Sequence, residues 1–173
     1  MLKTRTFIFS ILSVTIIAVT ALVTSCNSSD CPLTNTVMQK CGFYDSDGNV
    51  LTIDDTLTIT VRDSVILNRL TEGTGVKLPM SYNAAQDTLV FHYIPTGEIT
   101  EVTDTLVVSK KNTPHFVSLE CARSMFHNIT NVTWTTRKPD QTYRYAIERV
   151  AVANEHVNYD EKENLQIYFA VYH

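Results

Sequence analysis

The stretch "DTLVFHYI", residues 87–94, decides the fold class of this chain. Its Leu89, Phe91 and Tyr93 alternate with polar or smaller side chains. A period of two residues is typical of a strand that buries one face. A second stretch, "DTLTITV" (55–61), repeats the alternation with threonines on the opposite face, as expected for a half-buried strand.

Similar short runs recur along the chain between turn residues, and no helical period continues beyond a few turns. This spacing is typical of an all-β sandwich. We predict a single antiparallel β-sandwich of about nine strands, immunoglobulin-like or of a related Greek-key type. Pro79 restricts the run 76–80 to a sheet edge or a bulge. Later runs are 104–110, 115–119, 131–136, 145–152 and 164–172, with a short helical turn within 120–128 and a solvated loop at 154–164.

The first alternating run, residues 35–44, leads into a turn at "DSDGN", residues 45–49. Its Asp47-Gly48 pair suits a hairpin, because glycine readily adopts a positive φ. The alternating oxygen donors also raise the alternative of a calcium loop. However, Gly48 does not fall on the glycine position of an EF-hand loop, and Thr56 stands where that loop needs glutamate. We therefore predict a hairpin and no metal site.

The N-terminal segment has the layout of an export signal. Lys3 and Arg5 precede an apolar run, 7–23, that is interrupted only by hydroxyl residues. The sequence "VTSC" (23–26) resembles the lipobox of bacterial lipoproteins, whose cysteine becomes the acylated N-terminus. We predict lipidation at Cys26. An uncleaved transmembrane anchor is one alternative, because the run is long enough to span a bilayer. Ordinary signal cleavage is the other.

The predicted lipid anchor divides the chain into three parts. Residues 1–25 are the signal peptide, 26–32 the lipidated tether and 33–173 the sandwich domain. Asn27 follows the lipidated cysteine, so the aspartate of the inner-membrane retention signal is missing. We expect attachment to the outer membrane, at its periplasmic face or at the cell surface, where several acyl chains make the anchor stable.

The net charge excludes one class of partner. Removal of Lys3 and Arg5 with the signal leaves 12 basic residues against 18 acidic ones, a net charge of −6. A negative field repels phosphate backbones, and no basic stripe interleaved with aromatic residues occurs. We therefore predict no nucleic-acid partner.

Three cysteines remain beyond Cys26, namely Cys31, Cys41 and Cys121. An exported chain meets an oxidising environment, but three thiols allow several pairings and leave one thiol over. The sequence has no CxxC pair and no zinc-type spacing of His and Cys, so neither dithiol redox chemistry nor a zinc site is predicted. Cys41 alternates in step with Phe43, which predicts a buried thiol.

The order of several weak motifs resembles that of an uncharacterised domain-of-unknown-function family of small Bacteroidetes cell-envelope lipoproteins. The motifs are "CPLTNTVMQKCGFYDSDG", "DTLTITV", "SVILNR", "KLPMSY", "DTLVFHY" and "TDTLVVSKKNTPHFVSLECARSMFHNI". The resemblance implies a disulfide between Cys31 and Cys121, although Ala122 stands where the family commonly has glycine. It implies no activity. Lipoproteins of this sort often accompany outer-membrane proteins, so such a protein is an expected partner besides the membrane itself.

Four Asp-Ser/Thr-aliphatic tripeptides resemble the O-glycosylation site of Bacteroidetes envelope proteins. A structural role is the alternative, because Asp, Ser and Thr also favour turns and strand starts. The candidate acceptors are Thr56, Ser64, Thr88 and Thr105.

No residue pattern identifies a catalytic site. No GxSxG motif frames a serine as a nucleophile. The histidines lie on different predicted elements, so each is predicted to be a strand or loop residue. They are His92, His115, His127, His156 and His173.

Trp134, Tyr143 and Tyr145 are close in sequence and could form an aromatic platform for sugar, although sandwich cores use the same residue types. We predict a non-catalytic binding or assembly module that uses no cofactor. A carbohydrate-binding lipoprotein is the alternative, and a hydrolase is a further one.

Overall fold

The computed structural model of this protein describes residues 31, 35–54, 56–94, 101–141 and 143–172. The chain divides into two compact units, Met1–Cys31 and Pro32–His173, and every described strand belongs to the second. Cys31 is the one described residue of the first unit. The predicted signal peptide and Cys26 lie outside the described residues, so the predicted domain boundaries stay predictions.

The described residues form ten strands in two packed sheets and contain no helix, hence none able to cross a membrane. The predicted all-β sandwich is confirmed, with ten strands where about nine were expected. The strands are β1 (Met38–Asp45), β2 (Thr56–Val61), β3 (Ser64–Leu70), β4 (Gly75–Pro79), β5 (Gln86–Ile94), β6 (Val102–His115), β7 (Ser124–Trp134), β8 (Tyr145–Val152), β9 (His156–Val157) and β10 (Leu165–Val171). The four-stranded sheet has the order β4-β1-β10-β8, and the six-stranded sheet has the order β3-β2-β5-β6-β7-β9.

Among the described strand pairs, β1 and β10 are the exception to the predicted antiparallel pairing, because they run parallel. Cys41 lies opposite Leu165, and Asp45 lies opposite Phe169. Alternation reports which face of a strand is buried but not the direction of its neighbour, so the sequence pattern could not reveal this pair. A parallel pair needs a long connection, which here is the rest of the sandwich.

The core lies between the two sheets and follows the alternation of the sequence. Leu89, Phe91 and Tyr93 of β5 are 2%, 0% and 1% exposed. On the facing sheet, Phe43 and Phe169 are fully buried, and their rings meet edge to face with centroids 5.4 Å apart. Full burial of such a side chain contributes about 1.5–3 kcal/mol, so the apolar alternation is the main source of stability.

The turn at 45–49 is a hairpin turn, as predicted. Gly48 has a φ of 91°, which L residues rarely adopt. The Asp45 carbonyl accepts a hydrogen bond from the Gly48 N–H at 3.1 Å. The Asp45 carboxylate accepts hydrogen bonds from the backbone and side-chain N–H groups of Asn49 at 2.8 and 3.0 Å. Hydrogen bonds from Asn49 lower the pKa of Asp45. The carboxylate that suggested a calcium loop therefore closes the turn.

The predicted separation of strands 104–110 and 115–119 is wrong. The run 104–110 continues through residues 111–115 as part of one 14-residue strand, β6, which ends at His115. A bulge between Ser109 and Lys110 shifts the register, and the Lys110 side chain is buried. Residues 111–115 are therefore part of the strand, and residues 116–119 belong to a loop.

Two further local predictions also need correction. The expected helical turn within 120–128 is a turn followed by β7, which begins at Ser124 and not at Asn131. The predicted loop 154–164 contains the two-residue strand β9. In contrast, β4 lies at a sheet edge, as Pro79 predicted.

Candidate functional site

A groove crosses the outer face of the four-stranded sheet where β1 and β4 pair. Alternation places Lys40, Gly42 and Tyr44 on this face, because Cys41 and Phe43 point into the core. The cavity measures about 360 Å³, which lies within the range of small-ligand sites. The lining residues are Lys40, Cys41, Gly42, Tyr44, Val50, Thr74, Gly75, Val76, Lys77 and Glu163.

Two glycines form the floor of the groove. Gly42 of β1 lies opposite Gly75 of β4. A Cβ atom on Gly42 would collide with the Glu163 carboxylate and the Tyr44 ring, and one on Gly75 would collide with the Cys41 carbonyl oxygen. The absence of side chains at these two positions lets the Glu163 carboxylate and the Tyr44 ring lie directly on the backbone of Gly42.

Glu163 forms one wall of the groove, and hydrogen bonds hold its carboxylate in place. Tyr44 Oη lies 3.0 and 3.1 Å from the two carboxylate oxygens, and Gln166 Nε2 donates to Oε1 at 3.1 Å. Gln166 Oε1 in turn accepts a hydrogen bond from Tyr168 Oη at 3.0 Å. Burial, and then the hydrogen bond and negative charge of Glu163, raises the pKa of Tyr44. The phenol therefore remains a hydrogen-bond donor.

Tyr44, Arg149 and Tyr168 form what we call the tyrosine–arginine patch beside this wall. The rings of Tyr44 and Tyr168 lie 5.4 Å apart and are inclined by 31°. The guanidinium carbon of Arg149 lies 3.2 Å from the centroid of the Tyr168 ring. Ring stacking and the cation–π contact hold the three side chains in one arrangement. The patch is thus an ordered aromatic surface.

Lysine side chains supply positive charge around the groove. Lys77 Nζ pairs with Glu161 Oε2 at 2.7 Å, and both side chains are exposed. The hydrogen bond and charge of Lys77, with a smaller effect of Lys40, lower the pKa of Glu161. Exposed ion pairs are weak, so the amines of Lys40 and Lys77 can turn toward a bound ligand.

Cys41 lies beneath the floor as a free, buried thiol, as predicted. Its side chain is inert for two reasons. The residue is 1% exposed, and burial raises the pKa of its thiol to about 12. Gln39 Nε2 lies 3.4 Å from the sulfur. The thiol is therefore protonated at neutral pH and is not a nucleophile.

Cys31 and Cys121 are joined in a disulfide. The pairing implied by the family resemblance is thus confirmed. Cys121 lies in the loop between β6 and β7, where its N–H donates to the Ser118 carbonyl at 3.3 Å. The bond is a covalent link between residues that are roughly 90 positions apart.

An aromatic platform of Trp134, Tyr143 and Tyr145 was one of two alternatives, and the structure gives Trp134 and Tyr145 the other one, a role in the core. Tyr145 is 2% exposed, and its ring meets that of the core residue Phe169 edge to face. Trp134 packs against the core and donates its Nε1–H to the Glu148 carbonyl at 3.0 Å. The tyrosine–arginine patch is an outward aromatic surface instead. Alternation marks its tyrosines as outward, but their proximity depends on the parallel pairing of β1 and β10.

The described histidines lie on separate strands, β5, β6, β7 and β9. Each has its own local contacts. For example, His115 stacks on Phe126 with ring centroids 4.1 Å apart, whereas His127 is buried. In the part of the chain that the structure describes, no three His, Cys, Asp or Glu side chains are grouped as a metal site would require. His173 lies outside that part.

A buried polar cluster is centred on Lys110, whose side chain is 0% exposed. Lys110 Nζ donates to the carbonyls of Ser81 and Ala84 and to Asn112 Oδ1, at 2.5, 2.8 and 3.1 Å. It also lies 3.3 Å from Asp87 Oδ2. A buried charge costs stability unless it is paired and hydrogen-bonded, and the Lys110 amine meets both conditions.

The same cluster determines the protonation of His127. Asn112 Nδ2 donates to the Tyr82 and Ala84 carbonyls, each at 2.9 Å, so Asn112 Oδ1 faces His127 Nδ1 at 2.8 Å as an acceptor. His127 Nδ1 must therefore carry the proton. Burial, and then the positive charge of Lys110, lowers the pKa of His127 to about 4. The imidazole is neutral at neutral pH.

Two of the four aspartates in the Asp-Ser/Thr-aliphatic tripeptides have structural roles. Asp87 pairs with Lys110. Asp104 is 1% exposed and accepts hydrogen bonds from Arg137 Nε and from the Ile147 N–H, both at 3.0 Å. Among the candidate acceptors, Ser64 and Thr88 are exposed, whereas Thr56 and Thr105 are half-buried. O-glycosylation at these positions stays a prediction.

Comparison with known protein families places this chain. The pattern of a family of unknown function, DUF6452, matches residues 50–169, which is more than half of the chain. The chain belongs to the DUF6452 family. The DUF6452 match includes Gly75, Lys77 and Glu163 of the groove, whereas β1, with Gly42, precedes it. Comparison with curated proteins and with solved structures gave no match.

Proposed function

We propose that this protein is a lipid-anchored lipoprotein of the cell envelope that acts as a non-catalytic binding or assembly module at the outer membrane. The observation that carries the proposal is the disulfide between Cys31 and Cys121. Disulfides persist in exported proteins and are rare in the reducing cytosol. The bond therefore supports the export that residues 1–25 predict, and the sequence "VTSC" supports acylation at Cys26.

The anchor determines how strong the binding needs to be. Attachment to a membrane confines the module to a surface and raises its effective concentration near proteins of the same membrane. A groove of modest affinity then suffices. An outer-membrane protein is the partner class that we propose, as the resemblance to Bacteroidetes lipoproteins implies.

The groove offers recognition chemistry. The Glu163 carboxylate and the amines of Lys40 and Lys77 present acceptors and donors to a polar segment of a partner. Glycoside hydrolysis typically uses two carboxylates about 5–9.5 Å apart. The described lining of the groove contains one carboxylate, which Tyr44 and Gln166 already engage. This geometry supports binding.

Carbohydrate is the second ligand class that the surface supports. The tyrosine–arginine patch lies next to a carboxylate and to the Gln166 amide. Aromatic rings with nearby hydrogen-bonding side chains suit sugars, whose faces are apolar and whose hydroxyl groups are polar.

Metabolic labelling with a palmitate analogue tests the anchor. The wild-type protein is expected to carry the label, and Cys26→Ala is expected to lose it completely, because no other residue of "VTSC" can form the thioether. Cys41→Ala is the control and should keep the label, since Cys41 is a buried thiol. An unlabelled wild-type protein would contradict the lipid anchor.

Photo-crosslinking in living cells tests the groove. A photoreactive amino acid in place of Lys40 is expected to capture one envelope protein, identified by mass spectrometry. Addition of Tyr44→Ala and Lys77→Glu should lower the yield about tenfold, because loss of central contacts costs more than about 1 kcal/mol. The same photoreactive residue in place of Val65, which is 57% exposed on β3, is the control outside the groove.

Equal capture from the Lys40 and Val65 positions would contradict the proposed binding surface. Absence of a protein adduct, together with glycan binding that Tyr168→Ala abolishes, would favour the carbohydrate alternative.

A further inference from the structure

We propose that the loop between β6 and β7 is a membrane contact. Its residues Phe116, Val117 and Leu119, which we call the apolar tip, insert into the headgroup region of the bilayer that holds the anchor. This inference rests on the lipid anchor proposed above. The occupant of the apolar tip is a lipid surface, and no second protein is required.

The three side chains of the apolar tip are exposed to solvent. Phe116, Val117 and Leu119 are 57%, 50% and 102% exposed. Eight large hydrophobic side chains of the described residues are exposed, and these three occupy four consecutive positions. Single apolar residues are common on protein surfaces, whereas a cluster indicates a contact with another apolar medium.

Two hydrogen bonds to Ser118 shape the loop that carries the apolar tip. The Cys121 N–H donates to the Ser118 carbonyl, and the Glu120 N–H donates to Ser118 Oγ, both at 3.3 Å. Below the loop, the stacked rings of His115 and Phe126 stiffen the last pairs of β6 and β7. These contacts support the base of the loop and leave the three apolar side chains exposed to their surroundings.

Covalent connectivity brings the apolar tip to the membrane. Leu119 lies two residues from Cys121, which is bonded to Cys31. Cys31 follows Cys26 by five residues, which span at most about 18 Å when fully extended. One leaflet with its headgroups is about 20 Å thick. An acylated Cys26 therefore keeps the loop within reach of the headgroups.

The charge of the domain indicates which force holds the apolar tip. The chain without its signal has a net charge of −6, because 18 acidic residues outnumber 12 basic ones. Anionic headgroups would repel this charge, so the contact relies on apolar burial. The acyl chains retain the protein at the membrane, and the apolar tip orients it.

Depth-dependent fluorescence quenching of the full-length acylated protein tests the inference. Leu119→Cys is labelled with an environment-sensitive fluorophore, since Cys41 is buried and the other described cysteines are in the disulfide. The protein is reconstituted in phosphatidylcholine vesicles with and without nitroxide lipids. Thr136→Cys is the matched control, because Thr136 is exposed just beyond the end of β7 remote from the apolar tip.

We expect the label at position 119 to shift its emission to the blue and to be quenched several-fold more than the label at position 136. Phe116→Ser with Val117→Ser, added to Leu119→Cys, should reduce the quenching to the control level. Mass spectrometry of the same sample establishes whether the protein is acylated.

Equal quenching at positions 119 and 136 in an acylated protein would overturn the membrane contact and leave the lipid anchor intact. Absence of acyl groups would overturn the proposed anchor itself. A blue shift that grows with protein density, without quenching by lipid, would show that a second copy covers the apolar tip, and would also overturn the inference.

Discussion

Replacement of both Cys31 and Cys121 by serine is expected to lower the free energy of unfolding by about 4–5 kcal/mol. The disulfide closes a loop of roughly 90 residues, so its removal lets the unfolded chain gain conformational entropy. Domains of this size are stable by about 5–15 kcal/mol, which makes the loss a large fraction of the total. Equilibrium urea unfolding, followed by the fluorescence of Trp134, measures it.

Reduction supplies the matched control for this prediction. A reductant should destabilise the wild-type protein as much as the double substitution does, and it should leave the variant unchanged. A loss below about 1 kcal/mol would show that the loop-entropy argument fails for this chain.

Lys110→Met is expected to lower the free energy of unfolding by about 3–5 kcal/mol. The side chain of Lys110 is 0% exposed, and its amine neutralises Asp87. Without that amine, the Asp87 carboxylate and the carbonyls of Ser81 and Ala84 lose a partner in the protein interior. The midpoint of urea unfolding reports the change.

The neighbouring residue provides the control. Lys111 is exposed on the same strand, so Lys111→Met should change the stability by less than about 0.5 kcal/mol. Addition of Asp87→Asn to Lys110→Met should recover part of the loss, because the unpaired buried charge is removed. If Lys110→Met behaved like Lys111→Met, the buried cluster would have no structural role.

The pKa of His127 offers a second readout of the same substitution. Burial is the larger cause of its depressed value of about 4, and the charge of Lys110 is the second cause. The pKa of His127 is therefore expected to rise in Lys110→Met, toward its ordinary value of 6.5. An NMR titration of the imidazole follows the shift, and an unchanged pKa would contradict the assigned electrostatic coupling.

Much of the strand pattern could be predicted because the alternation of apolar residues is a local property. The run 87–94 lies within β5, and its three inward residues are buried. The prediction failed where a charged residue is buried. Lys110 indicates solvent when only its neighbours in sequence are considered, and only the acceptors of a distant loop explain its position in the interior.

The groove could not be predicted from the sequence. Gly42, Gly75 and Glu163 lie in three separate segments, and no pattern in the sequence links one segment to another. Glu163 falls within the predicted loop 154–164. The antiparallel pairing of β1 with β4 and its parallel pairing with β10 bring the three residues together.

By itself, the sequence determined the all-β class, the buried face of most strands and the hairpin turn at 45–49. It did so because each of these depends on the residues of one segment and on its exposure to solvent. Only the tertiary structure decided that the first and last strands pair, that Lys110 is buried and that bare backbone lies beneath Glu163. The physical reason is that a strand's hydrogen-bonding neighbours, and the partners of a buried charge, come from distant segments selected by packing of the whole sandwich.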